Sequence, residues 1–247
     1  MSDEIIVFGI HPVEALLKRQ PQRVSRLSLL DNRHDKKIQV IIELAKKNKV
    51  TIEFLSRHEL DRLTHEENHQ GVVAFCETAK HYFEHDLEEL LENLTEKPFL
   101  LILDGVQDPH NLGACLRSAD AAGVHVVIAP KDKSVGLTSA VCRVASGAAE
   151  TIPFIQVTNL ARTLRFLKEK NIWIVGAADE ADKNLYQTDL NISIALVLGS
   201  EDTGLRRLTR EHCDMLLHIP MRGSVSSLNV SVAAGIFLFE TLRQRSL

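Results

Sequence analysis

Between positions 99 and 219 the chain carries six short apolar runs: Phe99–Leu103, Val124–Ala129, Thr151–Ile155, Ile172–Ala177, Ala195–Leu198 and Leu216–Ile219. Their hydrophobic residues are consecutive and often β-branched, where a strand with one wet face would alternate apolar with polar residues. A strand that is apolar at every position is buried on both faces, as in a mostly parallel sheet covered by helices on either side. Helical patterns separate the runs, so residues 98–247 read as an α/β domain. Ligands of such sheets gather beyond the carboxyl ends of the strands. Chemistry is therefore expected in the segments that follow the runs.

Residues 1–77 mix strand and helix signals. The apolar run Ile5–Ile10 stops at His11-Pro12, where proline suits a first helical turn. Leu27–Leu30, Val50–Leu55 and Val72–Phe75 read as strands, and Lys36–Lys47 places Ile38, Ile41, Ile42 and Ala45 on one helix face. The pattern predicts a small α/β/α domain. The formal net charge of −4 over 247 residues argues at first against a nucleic-acid partner. Its distribution removes that argument. Residues 1–77 and 98–247 are each balanced, and the whole excess falls in residues 78–97, with two basic and six acidic groups. This segment ends at Pro98 and reads as an acidic linker with one short amphipathic helix, Asp86–Asn93, carrying Leu87, Leu90 and Leu91 on one face.

No apolar run approaches the roughly 20 residues that a bilayer crossing needs. The start, Met1-Ser2-Asp3-Glu4, is acidic where a secretory signal is basic and then apolar. Cys76, Cys115, Cys142 and Cys213 form no Cys-x-x-Cys pair. Zinc and redox motifs are thus not expected, whereas reduced thiols and a cytoplasmic location are.

Three segments beyond strand ends stand out. Asp104 to Asn111 forms a turn in which Asp108-Pro109 and Asn111 are expected to cap a helix beginning near Leu112. Arg117, a little under two turns on, is placed to share a side with Asn111, although a cap followed by a solvated arginine explains the same residues. Gly199-Ser200-Glu201-Asp202-Thr203-Gly204 sets glycines on both sides of a carboxylate, which permits close backbone approach to a ligand. It is not G-x-G-x-x-G, so a dinucleotide site is disfavoured. Finally Pro220 to Ser231 brings Ser224, Ser226, Ser227 and Asn229 ahead of an apolar helix, Val230–Leu242. That is more hydroxyl and amide groups than a helix cap requires.

Together these segments resemble the three signature motifs of the SpoU family of RNA 2′-O-ribose methyltransferases, part of the SPOUT class. The matching pieces are Asn111-Leu-Gly-Ala-Cys-Leu-Arg117, Leu196-Val-Leu-Gly199-Ser-Glu201-Asp-Thr-Gly204, and Ile219-Pro220 through Ser227-Leu228-Asn229-Val230-Ser231. In the first domain, Gly9-Ile10-His11-Pro12-Val13-Glu14-Ala15-Leu16 and Asn68-His69-Gln70-Gly71-Val72 are similar to the family's L30e-like substrate-binding domain. The resemblance implies a carboxy-terminal trefoil knot, which general rules of chain connection would not predict. It also implies S-adenosylmethionine held there by Gly199, Ile219 and Leu228, and a homodimer.

The implied reaction is in-line transfer of a methyl group to a ribose 2′-hydroxyl of a guanosine in 23S rRNA, free or in a large-subunit assembly intermediate. It calls for an aligned nucleophile and a route for its proton, without a metal. The resemblance implies Arg117 as the catalytic residue, acting on the 2′-hydroxyl. A guanidinium stays protonated, so Arg117 is expected to align ribose and phosphate, with Glu201 as the alternative base. Asn111, Glu201, Ser227 and Asn229 are expected to orient the hydroxyl, hold Arg117 and shape the pocket. Cys115 and Cys142, set among Ala, Leu and Val, are expected to pack rather than react. Two other functions stay open: a tRNA 2′-O-ribose methyltransferase of the same family, and a non-catalytic rRNA-binding assembly factor.

Overall fold

In the computed structural model the chain divides into two units, Met1–Lys80 with Ser146–Thr151, and His81–Ala145 with Ile152–Leu247. The structure describes residues 4–33, 35–77, 81–201, 203–225 and 227–246. Met1, Ser2, Asp3, Asp202 and Ser226, named in the reading above, and residues 78–80 of the acidic segment lie outside them.

The first unit contains β1 (Glu4–Phe8), α1 (Ile10–Arg19), β2 (Val24–Leu30), α2 (Lys36–Lys47), β3 (Thr51–Leu55), α3 (Arg57–Leu63) and β4 (Val72–Glu77). The strands form one sheet in the order β1-β4-β2-β3, with only the β2–β3 pair parallel. Leu16 and Leu17 of α1 and Ile38, Ile41 and Ala45 of α2 bury one face of this sheet, packing with Leu27 and Leu29. Leu60 of α3 packs with Val73 and Phe75 in a second cluster. This is an α/β/α unit. The apolar run at its start is split at Gly9, whose φ of +97° ends β1 and lets Ile10 open the helix. The helix α3 has a local signal in Ser56 and Glu59, a capping box in which each side chain satisfies the other's main-chain N–H.

The second unit contains α4 (Leu87–Glu92), β5 (Phe99–Asp104), α5 (Pro109–Ala122), β6 (Val126–Pro130) and α6 (Ser139–Ala145). After the short α7 (Ala148–Thr151), which groups with the first unit, come β7 (Phe154–Val157), α8 (Leu160–Glu169), β8 (Trp173–Ala177), β9 (Lys183–Asn184) and β10 (Ile194–Gly199). The chain closes with α9 (Arg207–His212), β11 (Met215–His218) and α10 (Val230–Arg245). All strands run parallel in the order β7-β6-β5-β10-β8-β11-β9. β5 and β6 are buried at every position, and each fully buried Leu or Ile contributes roughly 1.5–3 kcal/mol relative to exposure. The expected start of the third run moves furthest. Thr151 belongs to a helical turn, and the strand starts after Pro153, which has no N–H to give a ladder.

The acidic segment is not a free connector beyond His81. Leu87 is buried with Leu100, Ile102 and Ile155, and Leu90 and Leu91 pack against the same cluster. Its carboxylates meet cations of the second unit: Glu84 pairs with Arg162 at 2.6 Å, and Lys170 pairs with Glu88 at 2.5 Å and Glu92 at 3.6 Å. The boundaries at 77 and 98 followed composition, whereas packing assigns this helix to the parallel sheet. Among the described residues no helix is long and apolar enough to cross a membrane.

Candidate active site

The parallel register brings the segments after β5, β8, β10 and β11 to one end of the sheet. At that end Gly199 and Asp104 are register partners. The helix after β5 starts earlier than its sequence suggests. Asp108 is the N-cap, accepting the His110 N–H at 2.9 Å, and Pro109 is the first helical residue. Asn111 therefore sits inside the first turn and its side chain is released from capping. A side chain on Gly113 would meet Val144 Cβ at 2.6 Å, so glycine lets α5 and α6 approach.

That released side chain is the centre of a polar relay. Asn229 is the N-cap of α10, and its Oδ1 accepts from the Ser231 N–H at 2.9 Å and the Ser231 hydroxyl at 2.6 Å. A main-chain N–H cannot reverse its polarity, so the Asn229 amide is fixed in orientation. Its Nδ2 donates to Asn111 Oδ1 at 3.0 Å, and Asn111 Nδ2 then donates to Glu201 Oε1. One residue from each of the three sequence segments is thereby joined, and Glu201 acts as an acceptor.

The loop bearing Glu201 is closed on itself. Ser200 and Gly204 exchange main-chain hydrogen bonds at 3.2 and 3.0 Å, and the Ser200 and Thr203 hydroxyls meet at 2.8 Å. Gly204 has φ +63°, and a Cβ on Gly199 would run into the Gly204 carbonyl and Leu205 N. The two glycines thus serve the loop's own turn first. Beside it lies a cavity of about 360 Å³, within the size range of small-molecule sites. Gly199, Glu201, Ile219, Ser227 and Leu228 all line it. Asn111 and Asn229 do not line it and are connected to it through Glu201.

Arg117 stands apart. It lies about 120° around the helix from Asn111, is exposed, and makes no hydrogen bond or ion pair among the described residues. The expectation that it shares a side with Asn111 fails because both lie within α5, where six residues turn the chain about 600° and leave the two side chains on different faces.

Sequence reasoning missed the segment after β8. Ala178, Asp179 and Glu180 line the cavity, as do Arg210 and His218. The Arg210 guanidinium donates to Glu180, which holds that carboxyl below the usual range. The position of Glu180 beyond a strand end was the only signal available. Cys115 is fully buried, and burial, reinforced by the nearby Glu201 charge, pushes its thiol up to about 12. It is a packing residue and not a thiolate nucleophile. Cys142 is half-buried on α6, and none of the four cysteines forms a disulfide.

The cavity suits S-adenosylmethionine. Leu198, Ile219, Leu228 and Phe237 offer apolar surface for a flat base, the Gly199 and Gly204 backbone is accessible, and Asp179 and Glu201 put negative charge on the wall, which suits a cationic ligand, while Glu180 is paired with Arg210.

Comparison with known proteins agrees with this geometry. Residues 98–239 match the SpoU rRNA Methylase family, and residues 6–82 match the RNA 2′-O ribose methyltransferase substrate binding domain. The chain is 59% identical over 245 residues to the 23S rRNA (guanosine-2′-O-)-methyltransferase RlmB of Shewanella oneidensis, covering 99% of each. It is 56% identical over 241 residues to the protein of that name from Escherichia coli K12, covering 98% of this chain and 99% of the other. Among solved structures it is similar to the SpoU methyltransferase AviRb from Streptomyces viridochromogenes in complex with AdoMet, with a TM-score of 0.75, 25% identity, and coverage of 98% of this chain and 91% of that one. The A. aeolicus TrmH/SpoU tRNA modifying enzyme gives a TM-score of 0.57 and 30% identity, covering 66% of this chain and 84% of that one.

Proposed function

The chain belongs to the SpoU rRNA methylase family, and we infer from that membership that it methylates the ribose 2′-hydroxyl of a guanosine in 23S rRNA, using S-adenosylmethionine. The observation that carries this reading is the hydrogen-bonded set Asn111–Glu201–Asn229 beside a cavity lined by Gly199, Ile219 and Leu228. S-adenosylmethionine supplies an electrophilic methyl group on a sulfonium. Gly199, Ile219 and Leu228 hold the adenosine part through main-chain groups and apolar side chains. Glu201 receives a hydrogen bond from Asn111 on Oε1, which leaves Oε2 to accept from the substrate hydroxyl. Ser227, exposed at the cavity, offers a hydroxyl to the ribose. Arg117 stays protonated; with no partner of its own among the described residues, it is available to align the ribose and a backbone phosphate.

The domain limits belong to the same reading: 1–77 binds substrate RNA, 98–247 carries the chemistry, and 78–97 leads from one to the other with its helix packed on the second unit. The protein works as a homodimer in the cytoplasm. Val232 and Phe239 support the dimer: they lie seven positions apart on one side of α10 and are 50% and 49% exposed. A tRNA substrate is the second reading. It is disfavoured because the likeness to the tRNA modifying enzyme covers 66% of this chain, whereas the rRNA enzymes cover 98% or more.

The test is methyl transfer from labelled S-adenosylmethionine to 23S rRNA, to large-subunit assembly intermediates and to tRNA, followed by mapping of 2′-O-methylation. One guanosine of 23S rRNA is the expected site, and Arg117→Lys is expected to abolish turnover with RNA binding unchanged. Product on tRNA alone transfers the reading to its rival. Cofactor binding with no product on any RNA supports the assembly factor instead.

A further inference from the structure

One buried charge at this end of the sheet has no part in the site described so far. Asp104 closes β5 and is fully buried, where a carboxylate is costly unless paired. Its Oδ2 accepts the main-chain N–H of Arg206 at 3.0 Å. Its Oδ1 has no hydrogen-bond partner among the described residues and faces Nε of the same arginine at 3.5 Å. Arg206 also donates from Nη2 to the Asp132 carbonyl at 3.0 Å, in the segment after β6. Gly105 has φ +91°, and a side chain there would meet Arg206 Nη2 at 3.3 Å, so the turn after β5 leaves room for the guanidinium.

Asp104 is at the same time the register partner of Gly199 across β5 and β10. The loop that bears Glu201 thus leaves the sheet beside the Asp104 main chain and returns, at Arg206, to the Asp104 side chain. Between these points Glu201 is tied by side chain only to Asn111 among the described residues. A functional group on a loop is placed accurately only when the loop's ends are locked by surrounding contacts.

We propose that Asp104 is a positioning residue for methyl transfer: through Arg206 its buried carboxylate locks the loop from Gly199 to Arg206, so that Glu201 meets Asn111 and the cofactor cavity keeps its shape. The proposal rests on the reading of this cavity as the S-adenosylmethionine site. Asp104 touches no reacting atom and acts through the loop.

The experiment uses the full chain carrying Asp104→Asn, which still accepts one N–H but cannot pair with a guanidinium, and Arg206→Met, which keeps the main-chain N–H. Calorimetric titration with S-adenosylmethionine, without RNA, is expected to show about a 10- to 100-fold rise in Kd for Asp104→Asn, the loss that a charged hydrogen bond gives. Arg206→Met shifts in the same direction by less. Amide hydrogen exchange is expected to quicken over residues 200–206 and to stay unchanged over β5 and α5, and 23S rRNA affinity is expected to hold. A folded variant with unchanged cofactor affinity and unchanged loop exchange overturns the proposal, because a purely packing role moves only the thermal midpoint. If Asp104→Asn does not fold, Arg206→Met decides by the same two readouts. If the wild-type protein does not bind S-adenosylmethionine, the functional reading fails, and loop exchange alone decides the anchor.

Discussion

Asn229 donates its side-chain amide to the Asn111 side-chain oxygen at 3.0 Å, across 118 positions of sequence. Each asparagine sits at the amino-terminal end of its helix, α10 and α5 respectively, so this bond joins two helix starts over the loop that carries Glu201. Asn229 also serves its own helix as N-cap, and the two roles separate experimentally. Serine keeps the cap but is too short to bridge. Asn229→Ser is expected to hold stability within about 0.5 kcal/mol while turnover falls about 10- to 100-fold through the loss of the relay to a charged group. Thermal unfolding and single-turnover methylation check both halves. Normal turnover in this variant would remove the relay from the mechanism.

Gly199 and Gly204 predict opposite kinds of damage. At Gly199 a methyl group collides with the Gly204 carbonyl and Leu205 N, while at Gly204 it meets nothing within 4 Å and is penalised only by φ +63°. Gly204→Ala is expected to cost about 1–2 kcal/mol of stability and keep cofactor binding. Gly199→Ala is expected to lose binding, since backbone must move. Calorimetry on the two purified variants distinguishes them, and equal affinity for both would contradict the steric account.

The carboxy-terminal helix carries an acid-sensitive fastening. Hydrogen bonds from Arg243 lower Glu240 from 4.5 to about 2 against the opposing effect of burial, and Gln244 assists. A depressed carboxyl stabilises the fold fully above its unfolded pKa, and that contribution disappears as pH falls through the folded value. The stability gap between wild type and Glu240→Gln is therefore expected to be constant above pH 4.5 and to close toward pH 2. Chemical denaturation at a series of pH values measures it. A gap that persists undiminished to pH 2 would count against the assignment.

Cys115 is expected to resist alkylation in the native protein at pH 8, because its buried thiol ionises only near 12. Cys115→Ala is expected to retain methyl transfer. Loss of activity in a folded Cys115→Ala protein, or fast modification without unfolding, would reopen a thiol role.

Phe239→Glu places a charge on the exposed side of α10. Sedimentation is expected to show dimer for wild type and monomer for the variant, since a buried unpaired charge costs several kcal/mol, about 3–5 when a partner is missing. A wild-type protein that is active as a monomer ends the dimer proposal.

Much of this molecule was legible before its structure. Consecutive apolar residues report burial on both faces, and that alone separates a parallel α/β sheet from an amphipathic one; β5, β6 and β10 are buried along nearly their whole length. The segments after β5, β10 and β11 were also legible, because strand ends locate ligands in this architecture. Charge by position was legible as well, but its meaning was not. The acidic stretch reads as a linker until Leu87 is seen buried beneath it and Glu84 and Glu88 are paired with Arg162 and Lys170.

The class of fold and the residues of each candidate segment follow from local pattern and residue type, and both are readable from the amino-acid order alone. Which side chains meet depends on how the strands are ordered and paired in three dimensions. Asn111 looked like a helix cap until Asp108 took that place and freed its amide for Glu201 and Asn229. Asp104 reads as the first residue of a turn, whereas it closes β5 and Arg206 returns to its side chain. Contacts of this kind join residues about a hundred positions apart. They are set by strand order and register, which place β10 beside β5, and no periodicity in a single sequence encodes that adjacency.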